Sequence, residues 1–384
     1  MLMLVSAFTV SASAANRPVV SEPLSPPSIS AKAACIMDAK TGEVIYAKNE
    51  HEKLPMASTT KIMTSLLALE NGNIGDDITI TKDMLGADGT LLCLQEGWQI
   101  TLYDLVVGAL VVSGNDAADS IAVAVGGTKD NFVSMMNERC AEYGMFDTHF
   151  TTPSGLDEFA NGEHYSTAYD LCLLAREASK NPDLISITSN VESIIYYGNP
   201  KRMYYIYTHN YLLEKSKSAN SYPGCDGLKT GYTERAGHCL VTHVKRDGVE
   251  LVCVTLNAPE RFGDHRKLYD YALSLYGNYQ IAPEDREQEM YVVGGVEDSV
   301  KLTCDADCFA VRNDYVNSVE KRVTLDRFVY APVEEGQVVG KLEYCCGDTV
   351  VASYPLTASK AVEASNESWL SAYVSAIKNK NNGG

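Results

Sequence analysis

Ala57-Ser58-Thr59-Thr60-Lys61-Ile62-Met63-Thr64-Ser65-Leu66-Leu67-Ala68-Leu69-Glu70-Asn71-Gly72 reads as one helix. Pro55 stands before it and Asn71-Gly72 stops it. Ser58 falls at the helix start with Lys61 three residues on, so the two side chains share one face of the first turn. A hydroxyl there lies among free N–H groups at the positive end of the helix dipole, which favours developing negative charge. Ile62, Met63, Leu66, Leu67 and Leu69 cover most of the surface, which predicts a buried helix. A lysine held against it loses hydration and moves towards its neutral, basic form. A neutral amine beside a serine is a nucleophile–base pair. Taken alone, the four residues Ser58 to Lys61 also describe an N-cap serine followed by a solvated lysine.

The surrounding chain predicts an α/β (α+β) architecture: an antiparallel sheet with clustered helices, then a small all-β module. Ala33–Asp38 and Glu43–Ala47 form a hairpin around Ala39-Lys40-Thr41-Gly42. Thr101 caps a buried helix that ends at Ser113-Gly114-Asn115. Helices follow from Asp116 and Lys129, and another is capped by Ser166-Thr167. Cys239–Val244 and Glu250–Leu256 are strands across Arg246-Asp247-Gly248, and a last helix runs from Arg266 to Leu275. From about Ile281 the chain turns into short strands. This places the helix-rich domain at 31–280, a β-rich domain at 281–360, and a tail at 361–384 that reads as an amphipathic helix through Trp369, Leu370, Tyr373, Val374 and Ile377.

Length and composition bound the function. The chain has 384 residues, 45% hydrophobic and 21% charged, with a formal net charge of −18. That balance describes a folded protein and argues against nucleic acid as the main partner. Leu2 to Val10 is an apolar run before Ala12-Ser13-Ala14, which predicts a signal peptide over 1–15 and hence an exported, extracytoplasmic protein. The basic n-region is missing, so the expected leader is truncated. Residues 16–30 carry Pro18, Pro23, Pro26 and Pro27 and read as a linker. Of the 11 cysteines, most lie in apolar runs. Only Cys304/Cys308 and Cys345/Cys346 are clustered, where a local disulfide fits an exported chain better than zinc does. Cys239 and His243 share a strand face while His238 lies opposite, a pattern of core packing; no metal or cofactor is expected.

Two further motifs change the weight of Ser58. Ser113-Gly114-Asn115 sits in a tight turn between helices, and Lys229-Thr230-Gly231 precedes a strand. With Ser58-Thr59-Thr60-Lys61, in this order, the chain resembles the serine penicillin-binding proteins and β-lactamases. Within them it is most similar to the low-molecular-mass D-alanyl-D-alanine carboxypeptidases of the peptidase S11 family. Ser154-Gly155-Leu156-Asp157, His164 to Leu171 and Asp226 to Thr233 carry that likeness further, over roughly residues 30–360. The resemblance implies that Ser58 attacks the D-Ala-D-Ala carbonyl of a peptidoglycan stem peptide, that Lys61 takes its proton, and that Ser113 relays a proton to the leaving amine. It implies that Asn115 holds the substrate amide, that Lys229 and Thr230, helped by Arg261, bind its terminal carboxylate, and that Gly231 lets the strand edge approach. The N–H groups of Ser58 and Tyr232 would bind the oxyanion. It further implies inhibition by β-lactams and admits peripheral membrane contact through the C-terminal helix. The alternatives are a β-lactamase, which would need a dedicated carboxylate to activate the deacylating water and whose class A members have Asp where Gly114 stands, and a penicillin-binding sensor without turnover.

Overall fold

In the computed structural model the described residues are 8–11, 23–156 and 163–365. The chain divides into two compact units, Pro23–Ser274 and a second built from Leu275 onward together with residues 1–22. Apart from the backbone of the strand β1 (Phe8–Ser11), which pairs within the second unit, the expected leader lies outside the described residues. So do residues 366–384 of the expected tail helix.

The first unit begins with the hairpin β2 (Ala33–Asp38) and β3 (Val44–Lys48). A 3-10 turn at Ala57–Thr60 then leads into α1 (Lys61–Asn71). After β4 (Asp77–Thr79) and β5 (Gln99–Thr101) come α2 (Leu102–Val107), a π-helical turn at Gly108–Val112, α3 (Asn115–Gly126) and α4 (Lys129–Glu142). Next are α5 (Ala168–Ser179), α6 (Pro182–Thr188), the hairpin β6 (Glu192–Gly198) and β7 (Lys201–Tyr207), then β8 (Cys225–Thr233), β9 (Gly237–Arg246), β10 (Val249–Leu256) and α7 (Arg261–Ser274). Five strands form one antiparallel sheet in the order β3-β2-β10-β9-β8, and four form a smaller one in the order β4-β5-β6-β7.

The large sheet is buried on both faces, which is why its inner strands read as unbroken apolar runs and not as alternating ones. Cys35, Met37, Val241, Val252 and Val254 face the core shared with Ile62, Met63 and Leu66 of α1 and with Leu171 and Leu174 of α5. On the other face, Thr242 Oγ1 lies 2.7 Å from both His265 Nδ1 and the Tyr269 hydroxyl, and Thr255 Oγ1 lies 3.0 Å from His265 Nε2. A buried polar network with every member partnered fixes α7 on the sheet without leaving an orphaned group. α1 is buried along Lys61–Ala68, as its apolar coat predicts. Three helix starts are capped by threonine as read from the sequence or one residue away. Thr101, Thr128 and Thr167 each accept a backbone N–H three residues on.

Three expectations change. The last helix starts at Arg261, not Arg266, because Glu260 O already accepts from Asp264 N at 2.9 Å. The hairpin β6–β7 and helix α6 fill a stretch left unread in the sequence; tyrosine-rich strands without clear alternation gave no period to follow. The tail does not turn helical at Val362. Val362 and Val333 exchange backbone hydrogen bonds at 2.9 Å, and the valine is buried in the β-rich core. At the other end of the expected linker, Ser30 and Ala31 are tied by their backbone N–H groups to the Asp264 carboxylate.

The second unit holds a seven-stranded sheet and a two-stranded one. Its core centres on Leu302, Leu342, Leu356 and the ring cluster Tyr279, Phe309 and Tyr344. All 11 cysteines are free thiols, including Cys304, Cys308, Cys345 and Cys346, so the local disulfide that the sequence admits is not formed.

Two histidines in the sheet region respond oppositely to pH. Burial holds His265 down at about 3. Burial also works against charge on His243, but hydrogen bonds to Asp226 (2.6 Å) and Glu250 (3.1 Å) overcome it and hold the ring up at about 9. Below the ordinary histidine value of about 6.5 the unfolded chain takes up a proton that native His265 refuses, so its contribution is complete above that value and is lost towards pH 3. The contribution of His243 is complete below 6.5 and is lost as pH rises through 9. Urea titrations should therefore show stability falling between pH 6.5 and 5 by up to about 1.4 kcal/mol per unit from His265. The slope should flatten in His265→Gln; an equal slope in that variant would refute the assignment.

Candidate active site

The first motif lies in a strained turn. Ala57 has φ 49°, and the 3-10 turn that follows carries Ser58 on its only partly exposed position. Thr59 and Thr60 return their hydroxyls to Met56 O (2.7 Å) and Ala57 O (2.8 Å), which locks the turn against its own backbone. Lys61 opens α1 and is fully buried. Its Nζ lies 3.0 Å from Ser58 Oγ, 2.7 Å from Asn115 Oδ1 and 2.7 Å from Ser154 O.

The amide oxygen of Asn115 and the carbonyl of Ser154 can only accept. As an ammonium Lys61 donates to all three oxygens; as a neutral amine it gives its two N–H bonds to these two acceptors and turns its lone pair to the Ser58 hydroxyl. The electrostatics favour the neutral form: burial first, and the nearby Lys229 cation second, hold Lys61 well below the ordinary lysine range.

The second motif is delivered by a helix defect. The π-helical turn after α2 ends in Ser113, whose φ of 72° is left-handed. This turns the chain so that Ser113 and Asn115 are both buried and Asn115 reaches Lys61. Asn115 starts α3, and its Nδ2 donates to Asp88 O at 2.6 Å. Its Oδ1 meets Lys61 and one Nδ2–H meets Asp88 O, which leaves the second Nδ2–H for the expected contact to the substrate amide. Asp116 holds the loop before it by accepting from Leu92 N (2.8 Å) and Leu94 N (3.0 Å).

The third motif lies on β8, the edge strand of the large sheet, which pairs only with β9 there. A Cβ at Gly231 would sit 3.0 Å from Met56 O and 3.2 Å from Ser58 N, so glycine is what lets this edge run along the nucleophile turn. Lys229 is buried, donates to Thr230 O at 3.0 Å, and is held down at about 7 by burial and then by Arg261. Tyr232 is exposed, with its ring 4.8 Å from that of His238. Arg261, at the start of α7, reaches His238 Nδ1 through Nη1, and its buried Nε has no hydrogen-bond partner among the described residues. The site thus brings Ser58, Lys61 and Asn115 into contact, lays Gly231 along the Ser58 turn, and sets Lys229 and Arg261 close enough to shift each other's neighbours.

Sequence reasoning missed three contributors. Ser154 acts through a carbonyl, Asp88 likewise, and backbone atoms leave no side-chain signature. His164 is fully buried and neutral: its Nδ1 accepts from Thr151 N (3.0 Å), so Nε2 carries the hydrogen to Thr60 Oγ1 (2.9 Å). It links the loop that supplies Ser154 O to the turn that supplies Ser58. Burial and neighbouring cations hold it down at about 3. Among the described residues no group of three or more His, Cys, Asp or Glu could hold a metal ion.

A serine and a buried neutral lysine on a helix start, faced by an edge strand with a second lysine, define an acyl-transferring serine hydrolase. The relatives give the family. Residues 20–260 match the peptidase S11 family of D-alanyl-D-alanine carboxypeptidases, and residues 278–364 match the C-terminal domain of penicillin-binding protein 5. The chain is 30% identical to the D-alanyl-D-alanine carboxypeptidase DacF of Bacillus subtilis over 86% of its own length and 85% of the relative's. It shares its fold with a peptidoglycan synthesis regulatory factor (PBP3) of Streptococcus pneumoniae, at TM-score 0.66 and 26% identity, covering 88% of this chain and all 100% of that one. A second structure, penicillin-binding protein D2 of Listeria monocytogenes in its ampicillin-bound form, matches at TM-score 0.56 and 28% identity over 65% of this chain and 100% of that one. The chain belongs to the D-alanyl-D-alanine carboxypeptidase family of serine hydrolases.

Gly155 tests the geometry. Its φ is +85°, and an added Cβ would lie 2.0 Å from Ala57 O. Gly155→Ala should cost about 3 kcal/mol or more, a drop in Tm of about 6–12 °C by thermal melts, and should slow penicillin labelling of the folded fraction. Unchanged melting and labelling would show that this contact does not set the turn.

Proposed function

We propose that Ser58 is the nucleophile that removes the terminal D-alanine from peptidoglycan stem peptides. The observation that carries this reading is the contact at Lys61: its buried amine lies 3.0 Å from Ser58 Oγ and is held by Asn115 Oδ1 and Ser154 O, each at 2.7 Å. Ser58 Oγ attacks the carbonyl of the penultimate D-alanine while its proton passes to Lys61 Nζ. The oxyanion lies between the N–H groups of Ser58 and Tyr232, each worth about 3 kcal/mol of barrier. On collapse the C–N bond breaks and the amine of the leaving D-alanine takes a proton from Lys61 through the Ser113 hydroxyl. This returns Lys61 to neutrality. The ester on Ser58 is then hydrolysed by water, with Lys61 again the nearest base, and Ser58 recovers its proton.

The terminal carboxylate is met by Lys229, Thr230 and Arg261, a cationic wall beside an edge strand that suits an extended peptide. Asn115 fixes Lys61 through Oδ1 and holds the substrate amide with its second Nδ2–H. β-Lactams acylate the same serine: Oγ attacks the ring carbonyl and the ring C–N bond opens, but the leaving nitrogen stays tethered. The ampicillin-bound Listeria relative supports this. The apolar run before Ala12-Ser13-Ala14 supports export, with work in the cell wall or at the outer face of the membrane. No helix of the described residues is long and apolar enough to cross a membrane.

Incubation with an N-acylated peptide ending in D-Ala-D-Ala should release D-alanine, and Ser58→Ala should lower release at least about 1000-fold while keeping the fold. Stable penicillin labelling at Ser58 without any release would instead identify a sensor, and rapid hydrolysis of a chromogenic cephalosporin would identify a β-lactamase.

The two lysines should also shape the pH profile. Lys61 must be neutral and Lys229 charged, so kcat/KM should be bell-shaped, with its alkaline limb where Lys229 loses its proton, at about 7. In Lys229→Arg that limb should move above about pH 9, because a guanidinium stays charged. A limb that stays in place would remove Lys229 from the carboxylate site.

A further inference from the structure

Arg261 is held on two sides and open on a third. Its Nη1 donates to His238 Nδ1, its guanidinium carbon lies 4.9 Å from the centre of the Phe262 ring, and its Nε–H is buried without a partner among the described residues. A guanidinium has five N–H bonds in one rigid plane, so fixing one nitrogen and one face fixes where the others point. A buried N–H without an acceptor is costly, and it marks where a ligand oxygen belongs. His238 in turn is set by β-sheet register. It pairs with Tyr232 across β8 and β9, and the two rings lie 4.8 Å apart. The residue after the Lys229-Thr230-Gly231 motif therefore orients the imidazole, and the imidazole orients the arginine.

We infer that His238 is a positioning residue for the substrate's carboxylate: through Nδ1 it holds Arg261 so that the free Nε–H faces the C-terminal carboxylate of the peptide. This rests on the reading of Arg261 as a carboxylate ligand. The direction of the bond requires the neutral imidazole with its hydrogen on Nε2, since Arg261 cannot accept. Burial and the adjacent guanidinium both hold His238 below its ordinary value, in keeping with that tautomer. Tyr232 contributes twice: its backbone lies at the oxyanion position and its ring aligns the histidine.

The test compares variants by their kinetics on an N-acylated peptide ending in D-Ala-D-Ala. His238→Leu removes the acceptor and should raise KM about tenfold with kcat within about twofold, the loss of one hydrogen bond to a charged group. His238→Asn places Oδ1 where Nδ1 stood and should restore KM to within about threefold. His238→Gln extends its amide past that point and should not. Arg261→Ala should raise KM at least as far, and the Arg261→Ala/His238→Leu pair should be no worse than Arg261→Ala alone. If Arg261→Ala leaves KM unchanged, the carboxylate assignment fails and this inference with it. If Arg261→Ala raises KM but His238→Leu does not, or if the two effects add, the inference alone is overturned. Should the leucine variant not fold, the Asn–Gln contrast decides: equal KM values overturn the role of Nδ1.

Discussion

The structure depends on one amine being dry. Lys61 is completely buried at the start of a buried helix, and the groups around it are those a neutral amine can satisfy: two pure acceptors and one hydroxyl. A charged ammonium in that place would have three N–H donors for the same three oxygens and would leave Ser58 with no base. Each surrounding element serves this arrangement. The 3-10 turn presents Ser58, the π-helical turn brings Asn115 across, and the Ser154 loop offers its carbonyl, tied by His164 to the turn itself.

The cations are ordered by the same desolvation. Arg261 remains charged at any physiological pH and pushes on Lys229, and Lys229 pushes on Lys61. Burial is the larger cause for both lysines, and repulsion from the neighbouring cation adds to it in each case. Buried Asp116 and Asp119 pull Lys61 the other way, but they rank behind burial and Lys229. A base and an anion-binding cation can thus be built from the same residue type a short distance apart. Chemical identity does not separate them; burial lowers both, and each then answers to a different neighbouring cation, Arg261 for Lys229 and Lys229 for Lys61.

Much of this was legible in the sequence. The apolar coat of Ile62, Met63 and Leu66 announced a buried helix, threonines marked helix starts, and the double-faced burial of the sheet was written as unbroken apolar strands. Ser58, Lys61 and Asn115 were found because side chains at fixed spacings carry the chemistry. What stayed hidden is carried by backbone or by long-range pairing. Nothing in Ser154 or Asp88 as residue types shows that their carbonyls are used. The defect after α2 could not be read from Gly108–Val112, an ordinary apolar stretch. The β-rich core extends to Val362, past the expected boundary at 360, because an isolated valine gives no period that shows which strand it joins. His238 was weighed only as a metal ligand, since its partner Arg261 lies across a strand, a turn and a helix start.

The same burial sets a limit on the fold. His164 and His265 are kept neutral for the reason Lys61 is, namely that charge is expensive inside the helix–sheet core. Acid therefore attacks the scaffold and the catalyst together: protons that would disable the base also favour the unfolded chain. His243 runs against this trend because Asp226 and Glu250 bracket its ring with two carboxylates. It sits on β9 and pairs with Gly227 of β8, so the charged cluster anchors the strand that carries Lys229 from the end remote from Arg261. The edge strand is thus held by an ion cluster where it enters the site and by ring contact where it leaves, and the segment between is free to meet a peptide along its open edge.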